Sequence, residues 1–309
     1  MKPMPTLRQL RYLVAVVERR HFGRAAEACL VSQSTLSAAI QELEDLLGAP
    51  LLERSRRLVV PTALGQDIAT RAQALLKGAE DLVDAALAAR DPFTGPLHVG
   101  VIPTIGPFML PQAMPALRLA FPQMKFYLRE DQSARLVEQL HAGGLDAVVL
   151  ALPYPMEDVE TIEFARDRFW VACPPGHRLC KASAVRPADM ALEDLLLLED
   201  GHCLRDHALS ACELEGARRN VAFQGTSLHT LAQMVANGLG VTLLPEMALD
   251  AGILRGLDLS VVPLDGETPY RRIGLAWRRS SGRKETFHRV TAVLRNAMTK
   301  GPAPQAHQA

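Results

Sequence analysis

The chain opens with apolar residues at helical spacing. Leu7, Leu10, Val14 and Val17 fall on one face and predict a first helix. A short second helix fits "GRAAEACL", where Ala25 and Ala26 permit close helix packing. A third fits "VSQSTLSAAIQELEDLLG", with Ser32 as its N-cap and Gly48 as its stop. Its apolar positions Leu36, Ile40, Leu43 and Leu47 follow steps of 4, 3 and 4, which makes one buried stripe. The opposite face carries Gln33, Ser34, Thr35, Ser37 and Gln41. Two helices with a short turn between them predict a helix-turn-helix. "LLERSRRLVVPT" then reads as two short strands around a basic tip of Arg54, Arg56 and Arg57, which is a wing.

From Thr62 to Arg90 the pattern changes. Leu64, Ile68, Ala72, Leu75, Ala79, Leu82 and Ala86 recur at steps close to a heptad seam. One long helix with no core of its own needs a partner, and a second copy is the simplest. "DPFTGP" breaks it with two prolines and a glycine. The remainder alternates. "LHVGVI", "KFYLRE", "DAVVLAL", "FWVAC", "LLLL", "VTLLP" and "RIGLAW" read as strands, with helices such as 133–141 and 228–237 between most of them. That alternation predicts an α/β fold with largely parallel sheets, in two subdomains. The tail "GPAPQAHQA" is expected to be disordered.

Composition adds limits. Of the 309 residues 48% are hydrophobic, enough for real cores, and only 5% are aromatic, so those cores must be mostly Leu, Val and Ala. Formal net charge is zero, so any basic surface for nucleic acid must be local. The N-terminus lacks the apolar core of a signal peptide, and no apolar stretch approaches the ~18 residues of a membrane span. A cytoplasmic protein with no membrane partner is expected. Five cysteines in so long a cytosolic chain are not a disulfide framework. A disulfide there is expected to be transient and redox-sensing.

The polar face of the third helix suits the major groove of double-stranded DNA. Gln pairs bidentately with adenine, and Ser and Thr are adaptable partners. The wing arginines suit phosphates, which fix register without reading sequence. The residues "HFGRAAEACLVSQSTLSAAIQELEDLLGAPLLERSRRLVVPTALG" resemble the N-terminal domain of LysR-type transcriptional regulators. The likeness runs through the paired alanines, "VSQ", "LSAAIQELEDLLG", "LLERS" and "PTALG". Many members have proline where Ser34 stands. The resemblance implies a winged helix-turn-helix (α with a small β wing) at 1–61, a linker and dimerisation helix at 62–91, and an effector domain at 92–309. The effector domain would hold two α/β, Rossmann-like and periplasmic-binding-protein-like subdomains, at about 92–166 with 270–300 and about 167–269. Promoter DNA, a second copy through the linker helix, a homotetramer and RNA polymerase are the implied partners.

Cys203 and Cys212 stand nine positions apart in "LLLLEDGHCLRDHALSAC". With "IPTIGPFMLP" and "TSLHTLAQMVANGLGVTLLP", this context resembles the hydrogen-peroxide sensors of the same family. A cysteine attacks peroxide as its thiolate, which nearby cations favour. His202 is adjacent and Arg205 is two residues on, whereas Glu199, Asp200 and Asp206 push the other way. A sulfenic acid at Cys203 would be the first product, and Cys212 is the local thiol to convert it to a disulfide. If the segment were one helix, nine steps at ~1.5 Å would put the α-carbons about 13 Å apart. A disulfide needs roughly 4.4–6.8 Å, so joining the pair would require unwinding. By position, the resemblance assigns a peroxide pocket to Thr104, Ser133, His202, Arg205, Asp206 and Arg271. Ser133 falls where a threonine is usual.

Other readings compete. His202, Cys203, His207 and Cys212 are a weak zinc set, with no CxxC spacing. No metal and no cofactor are expected. A thiol peroxidase has no use for a winged helix, so no enzyme is expected. A LysR-type regulator of a small-molecule co-inducer, held in the cleft between subdomains, is the alternative to peroxide sensing. Cys29 and Cys173 read as core, Cys180 as adventitious, and His207 and His229 as surface or helix residues.

Overall fold

A computed structural model describes residues 4–54, 59–88, 92–199, 201, 203–211, 225, 227–265 and 270–299. The chain forms two compact units, Met1–Arg90 with His141–Gly144, and Asp91–Leu140 with Leu145–Ala309.

In the first unit, α1 spans Leu7–Arg19, α2 Phe22–Ala28 and α3 Gln33–Leu47. Thr6 starts α1 through a capping box with Gln9, which satisfies two backbone donors at once. Ser32 caps α3 by accepting from the Thr35 amide at 3.1 Å, and Gly48 ends it in the left-handed region. The expected stripe is half right at its end: Leu36, Ile40 and Leu43 are buried, but Leu47 is exposed. Leu10 and Leu13 of α1 are buried in the same unit, and Leu13 joins Ala25, Ala26 and the α3 stripe in one core. The wing strands are β1, Leu52–Arg54, and β2, Val59–Pro61, paired antiparallel. Buried Glu44 holds the entry to β1 by accepting from the Leu51 and Leu52 amides at 2.7 and 3.1 Å.

The long helix α4 spans Ala63–Ala88. The heptad-like seam divides. Ala72 is buried and Ile68 and Ala79 are half-buried, whereas Leu64, Leu75 and Leu82 are exposed at 43 to 75%. Gly65 lets the first turn of α4 lie against the Leu51 backbone, because a Cβ there would run into the Leu51 carbonyl oxygen. Gly65→Ala is therefore expected to destabilise the first unit by roughly 2 kcal/mol or more, read as a lowered midpoint of urea unfolding.

The second unit begins with β3, Gly95–Val101, then α5, Gly106–Ala120, β4, Met124–Glu130, α6, Ser133–Ala142, and β5, Ala147–Leu152. Next come β6, Val159–Cys173, a 3-10 turn at Arg178–Lys181, α7, Pro187–Met190, and α8, Cys203–Ala211. The chain continues with α9, Leu228–Ala236, β7, Thr242–Pro245, α10, Glu246–Asp250, β8, Ser260–Pro263, β9, Tyr270–Arg278, and α11, Lys284–Thr299. The sheet order is β4-β3-β5-β9-β6-β7, with β8 also on β6.

This sheet is mixed, not largely parallel. β4, β3 and β5 are parallel, but β9 pairs antiparallel with β5 and β6, and β6 pairs antiparallel with β7 and β8. The reason is topological: β9 returns from the second lobe to close the sheet of the first. β6 serves both lobes, pairing with β9 over Val159–Arg168 and with β7 and β8 over Phe169–Cys173. The leucine run 195–198 is not a strand. Leu195 and Leu198 make only isolated bridges, to Val241 and Gly225, and the run is mostly buried as an extended connector. The tail 301–309 lies outside the described residues.

Candidate functional site

Cys203 is the first described residue of α8, with its side chain 6% exposed. The turn before it needs Gly201, whose φ is +97° and whose missing Cβ leaves room for the Gln132 amide. Gln132 in turn donates to Glu199 at 3.2 Å. Behind Cys203, Leu204, Ala208 and Leu209 are buried, and α8 packs against β9 and β5. The next residues differ in exposure: Arg205 is half-buried and Asp206 is exposed. His202 and Cys212 lie outside the described residues. Cys203 remains a free thiol.

β9 carries the most constrained group of the unit. Arg271, 2% exposed, donates its Nε to Asp167 Oδ2 at 2.9 Å, and its Nη2 lies 2.8 Å from the same oxygen. Nη1 donates to Thr104 Oγ1 and Nη2 to the Thr104 carbonyl, both at 2.8 Å. Asp167 accepts the Met247 amide at 2.9 Å through its other oxygen. A buried arginine is tolerated only when its charge is paired and its donors are used, and this one meets both conditions. Thr104 sits in the turn between β3 and α5 and is 2% exposed. Since its hydroxyl accepts from Arg271, its own proton is left to donate elsewhere. Ser133, at the start of α6, is 1% exposed and its Oγ has no hydrogen-bond partner. A buried hydroxyl without a partner is costly unless a small polar ligand uses it.

Two further residues, neither of them assigned to the peroxide pocket from sequence, join the surroundings of Cys203. Tyr154 is half-buried; burial, then the nearby Cys203 and Asp206, push its hydroxyl above the usual phenol range. His207, expected on the surface or in a helix, is half-buried on α8. Its Nε2 lies 3.0 Å from the Pro153 carbonyl oxygen, and its Nδ1 is buried without a partner. Burial lowers its pKa below the ordinary 6.5, and the charges of Arg271 and Arg272 add to the effect. The neutral ring is thus the folded form, with Nε2–H donating to Pro153. The unfolded chain binds the proton more readily, so the stability from docking α8 is present above about pH 6.5 and is lost as pH falls through the lower folded value. The protection factors of the α8 amides, taken against the base-catalysed intrinsic rate, are expected to fall between pH 7 and 5. His207→Gln, which keeps a donor and does not titrate, should flatten that dependence. His229 lies on α9 and stacks on Phe108, with ring centroids 5.7 Å apart.

The cysteines outside this site are corrected in part. Cys29 is the C-cap of α2 and only half-buried, packed on the edge of its core rather than inside it. Burial raises its thiol pKa, against a smaller opposing effect of Arg11. Cys173 is fully buried, but it forms a disulfide with Cys180, so Cys180 is a partner and not an incidental thiol. Among the described residues no group of three or more His, Cys, Asp or Glu side chains is placed to hold a metal. No described helix is long and apolar enough to cross a membrane.

On α3, Gln33, Ser34, Thr35 and Gln41 are exposed and Ser37 is half-buried. Ser34 Oγ lies 2.9 Å from Ser32 Oγ, which is also 2.8 Å from Thr35 Oγ1. The serine at 34 therefore adds a hydroxyl to the cap cluster, which a proline could not. Gln41 donates to Asp45 at 3.1 Å. Arg54 ends β1, and Arg56 and Arg57 lie outside the described residues.

Comparison with known proteins accounts for both units. Residues 7–66 match the bacterial regulatory helix-turn-helix of the lysR family, and residues 90–299 match the LysR substrate binding domain. The HTH-type transcriptional regulator EstR of Acinetobacter baylyi is 40% identical over 295 residues, covering 96% of this chain and 98% of its own. Two Escherichia coli sequences, OxyR of strain K12 and the hydrogen peroxide-inducible genes activator of strain O6:H1, are each 40% identical over 292 residues, 94% of this chain and 95% of theirs. A full-length OxyR cysteine-to-aspartate variant from Pseudomonas aeruginosa superposes with a TM-score of 0.80 at 36% identity, covering 95% of both chains. These relatives are transcriptional regulators and not enzymes. The fold is accordingly a helix-turn-helix domain followed by a substrate-binding domain of two periplasmic-binding-like α/β subdomains. The chain belongs to the LysR family of transcriptional regulators and is similar over nearly its whole length to the DNA-binding transcriptional dual regulator OxyR.

Proposed function

We propose that the chain senses hydrogen peroxide at Cys203 and reports it to promoter DNA by refolding the segment that ends at Cys212. In the first step the Cys203 thiolate attacks one peroxide oxygen, the O–O bond breaks, and hydroxide leaves to take up a proton. Cys203 is then a sulfenic acid. In the second step the Cys212 thiolate attacks that sulfur, the S–O bond breaks, hydroxide leaves again, and the disulfide forms. Peroxide is reduced by two electrons and the two thiols supply them.

The observation that carries this reading is that Cys203 begins α8, which runs unbroken to Ala211, the neighbour of Cys212. Eight helical steps already separate the ends of α8 by about 12 Å, beyond the roughly 4.4–6.8 Å that a disulfide spans. Oxidation must therefore unwind α8, and a segment with two exclusive arrangements is a switch. Thr104, Ser133, His202, Arg205, Asp206 and Arg271 form the peroxide pocket in this reading. Thr104 has a hydroxyl proton to donate and Ser133 has an unused hydroxyl, while Arg271 favours the negative charge of the departing hydroxide. Gln33, Ser34, Thr35, Ser37 and Gln41 read bases, and Arg54, Arg56 and Arg57 hold phosphates. The exposed leucines of α4 face a second copy in a dimer, two dimers make the tetramer, and the reorganised tetramer engages RNA polymerase in the cytoplasm. The names of the E. coli relatives, the family's helix-turn-helix and the buried Arg271–Thr104 pair support the reading together.

Peptide mapping tests it. After one equivalent of peroxide and thiol blocking, trypsin should yield the peptide holding Cys203 joined to the peptide holding Cys212. Its absence would sink the mechanism and leave regulation by a small-molecule co-inducer in its place.

A further inference from the structure

We propose that Cys173 and Cys180 form a second thiol–disulfide couple, one that exchanges with low-molecular-weight disulfides and fixes the 3-10 turn to the end of β6. The proposal does not depend on the peroxide reading. Cys173 is the last residue of β6, fully buried, and paired in register with Ser260 of β8. Cys180 lies in the 3-10 turn Arg178–Lys181 and is half-buried, packed on the edge of the core. Their α-carbons are 6.4 Å apart, inside the range a disulfide allows. "PPG" at 174–176 makes the turn between them, with Gly176 at φ +75°.

Both redox forms have a place in this fold. In the disulfide the sulfurs satisfy each other. In the dithiol the Ser260 carbonyl oxygen, 3.5 Å from Cys180 Sγ, is an acceptor for the Cys180 thiol proton. Exposure assigns the oxidant. Cys203 is 6% exposed and admits only a small molecule, whereas Cys180, only partly buried, can be reached by a bulkier disulfide. The Cys180 thiolate attacks one sulfur of a small disulfide, breaking its S–S bond and releasing one thiolate. The Cys173 thiolate then attacks the Cys180 sulfur of the mixed disulfide, forming the internal bond and releasing the second thiolate. Two electrons pass from the protein to the small disulfide, and the two thiol protons go to the released thiolates or solvent.

The turn so fixed bears on the approach to Cys203. Arg178 and His177 pair with Glu193 at 2.6 and 3.6 Å. Two residues on, the chain runs through the Leu195 bridge to Val241 and the Leu198 bridge to Gly225, and so to Gly201 and Cys203. Reduction of the couple frees the turn that holds Glu193.

Full-length protein equilibrated in mixtures of reduced and oxidised glutathione, blocked and cut with trypsin, tests the couple. The peptides "FWVACPPGHR" and "LCK" should be joined in a fraction that rises from little to most as the mixture becomes oxidising. The midpoint should be the same in the Cys203→Ser/Cys212→Ser variant. Blocking of Cys180 at every ratio, a joined pair at every ratio, or loss of the joined pair without Cys203 and Cys212 each overturns it. In that same variant, reduction should raise amide exchange over 191–199 several-fold, and unchanged exchange overturns the effect on the approach to Cys203. The Cys203 and Cys212 peptides, read from wild-type digests, report the peroxide reading separately.

Discussion

Replacing Cys203 with serine is expected to abolish the peroxide response while leaving DNA binding intact. The hydroxyl of serine is far less nucleophilic than a thiolate and forms no disulfide with Cys212. Cys203 and the α8 core residues are buried in the second unit, and α3 belongs to the first, so the substitution leaves the DNA-binding helices unaltered. The measurement is a promoter footprint before and after peroxide. Wild type should change its protected pattern; Cys203→Ser should keep the reduced pattern at every peroxide concentration. A variant that still changes its footprint would remove Cys203 from the mechanism. Cys212→Ser separates the steps, since it should still form a sulfenic acid, trapped by dimedone, without the linked peptides.

Arg271→Ala carries the second large effect, and it acts on both stability and rate. Removing the guanidinium leaves Asp167 buried without its ion-pair partner and Thr104 without two hydrogen bonds. Breaking one side of a buried pair costs about 3–5 kcal/mol. The oxidation rate of Cys203 is expected to fall by roughly 10²–10³-fold, the usual effect of removing a donor that stabilises developing charge. The double variant Arg271→Ala/Asp167→Ala should regain part of the stability and none of the rate. Recovery of both together would make Arg271 a structural residue only. Arg271→Lys keeps the charge but not the planar fork, and should fall between.

Much of this was legible in the sequence, and the failures have physical reasons. The three N-terminal helices, the wing and the linker helix follow from apolar spacing and caps, because each is a local pattern read at one period. The first two thirds of β6 escaped notice. "VETIEFARDR" carries charges at Glu160, Glu163 and 166–168, with a register shift between Glu163 and Ala165, so it has neither a clean alternation nor the apolar run that marks "FWVAC". The four leucines at 195–198 misled in the opposite direction: burial made them apolar, but among the described residues no strand lies alongside to pair with them continuously. The resemblance pointed to Thr104 and Arg271, yet Asp167 was missed. Its partner lies 104 residues away, and no spacing rule reaches that far. The Cys173–Cys180 pair was missed because seven residues through a proline-glycine turn is not a recognisable spacing, and the cytosolic prior argued for free thiols. His207 is a helix residue, one of the two places expected for it, but its bond to the Pro153 carbonyl was not foreseen because that acceptor comes from a backbone loop that no pattern marks.

The continuity of β6 bears on how a signal leaves the second unit. A strand of 15 residues, roughly 45 Å at ~3.3 Å per residue, enters one sheet and leaves through the other without a break. Such a strand behaves as a torsion bar. Closing the two lobes like jaws would twist a backbone already committed to ladders on both sides. Unwinding α8, a short helix laid over β9, disturbs no ladder at all. A molecule built this way is stiff where jaw-like closure would need it compliant, whereas α8, which carries the thiol proposed to react, can unwind without parting a ladder.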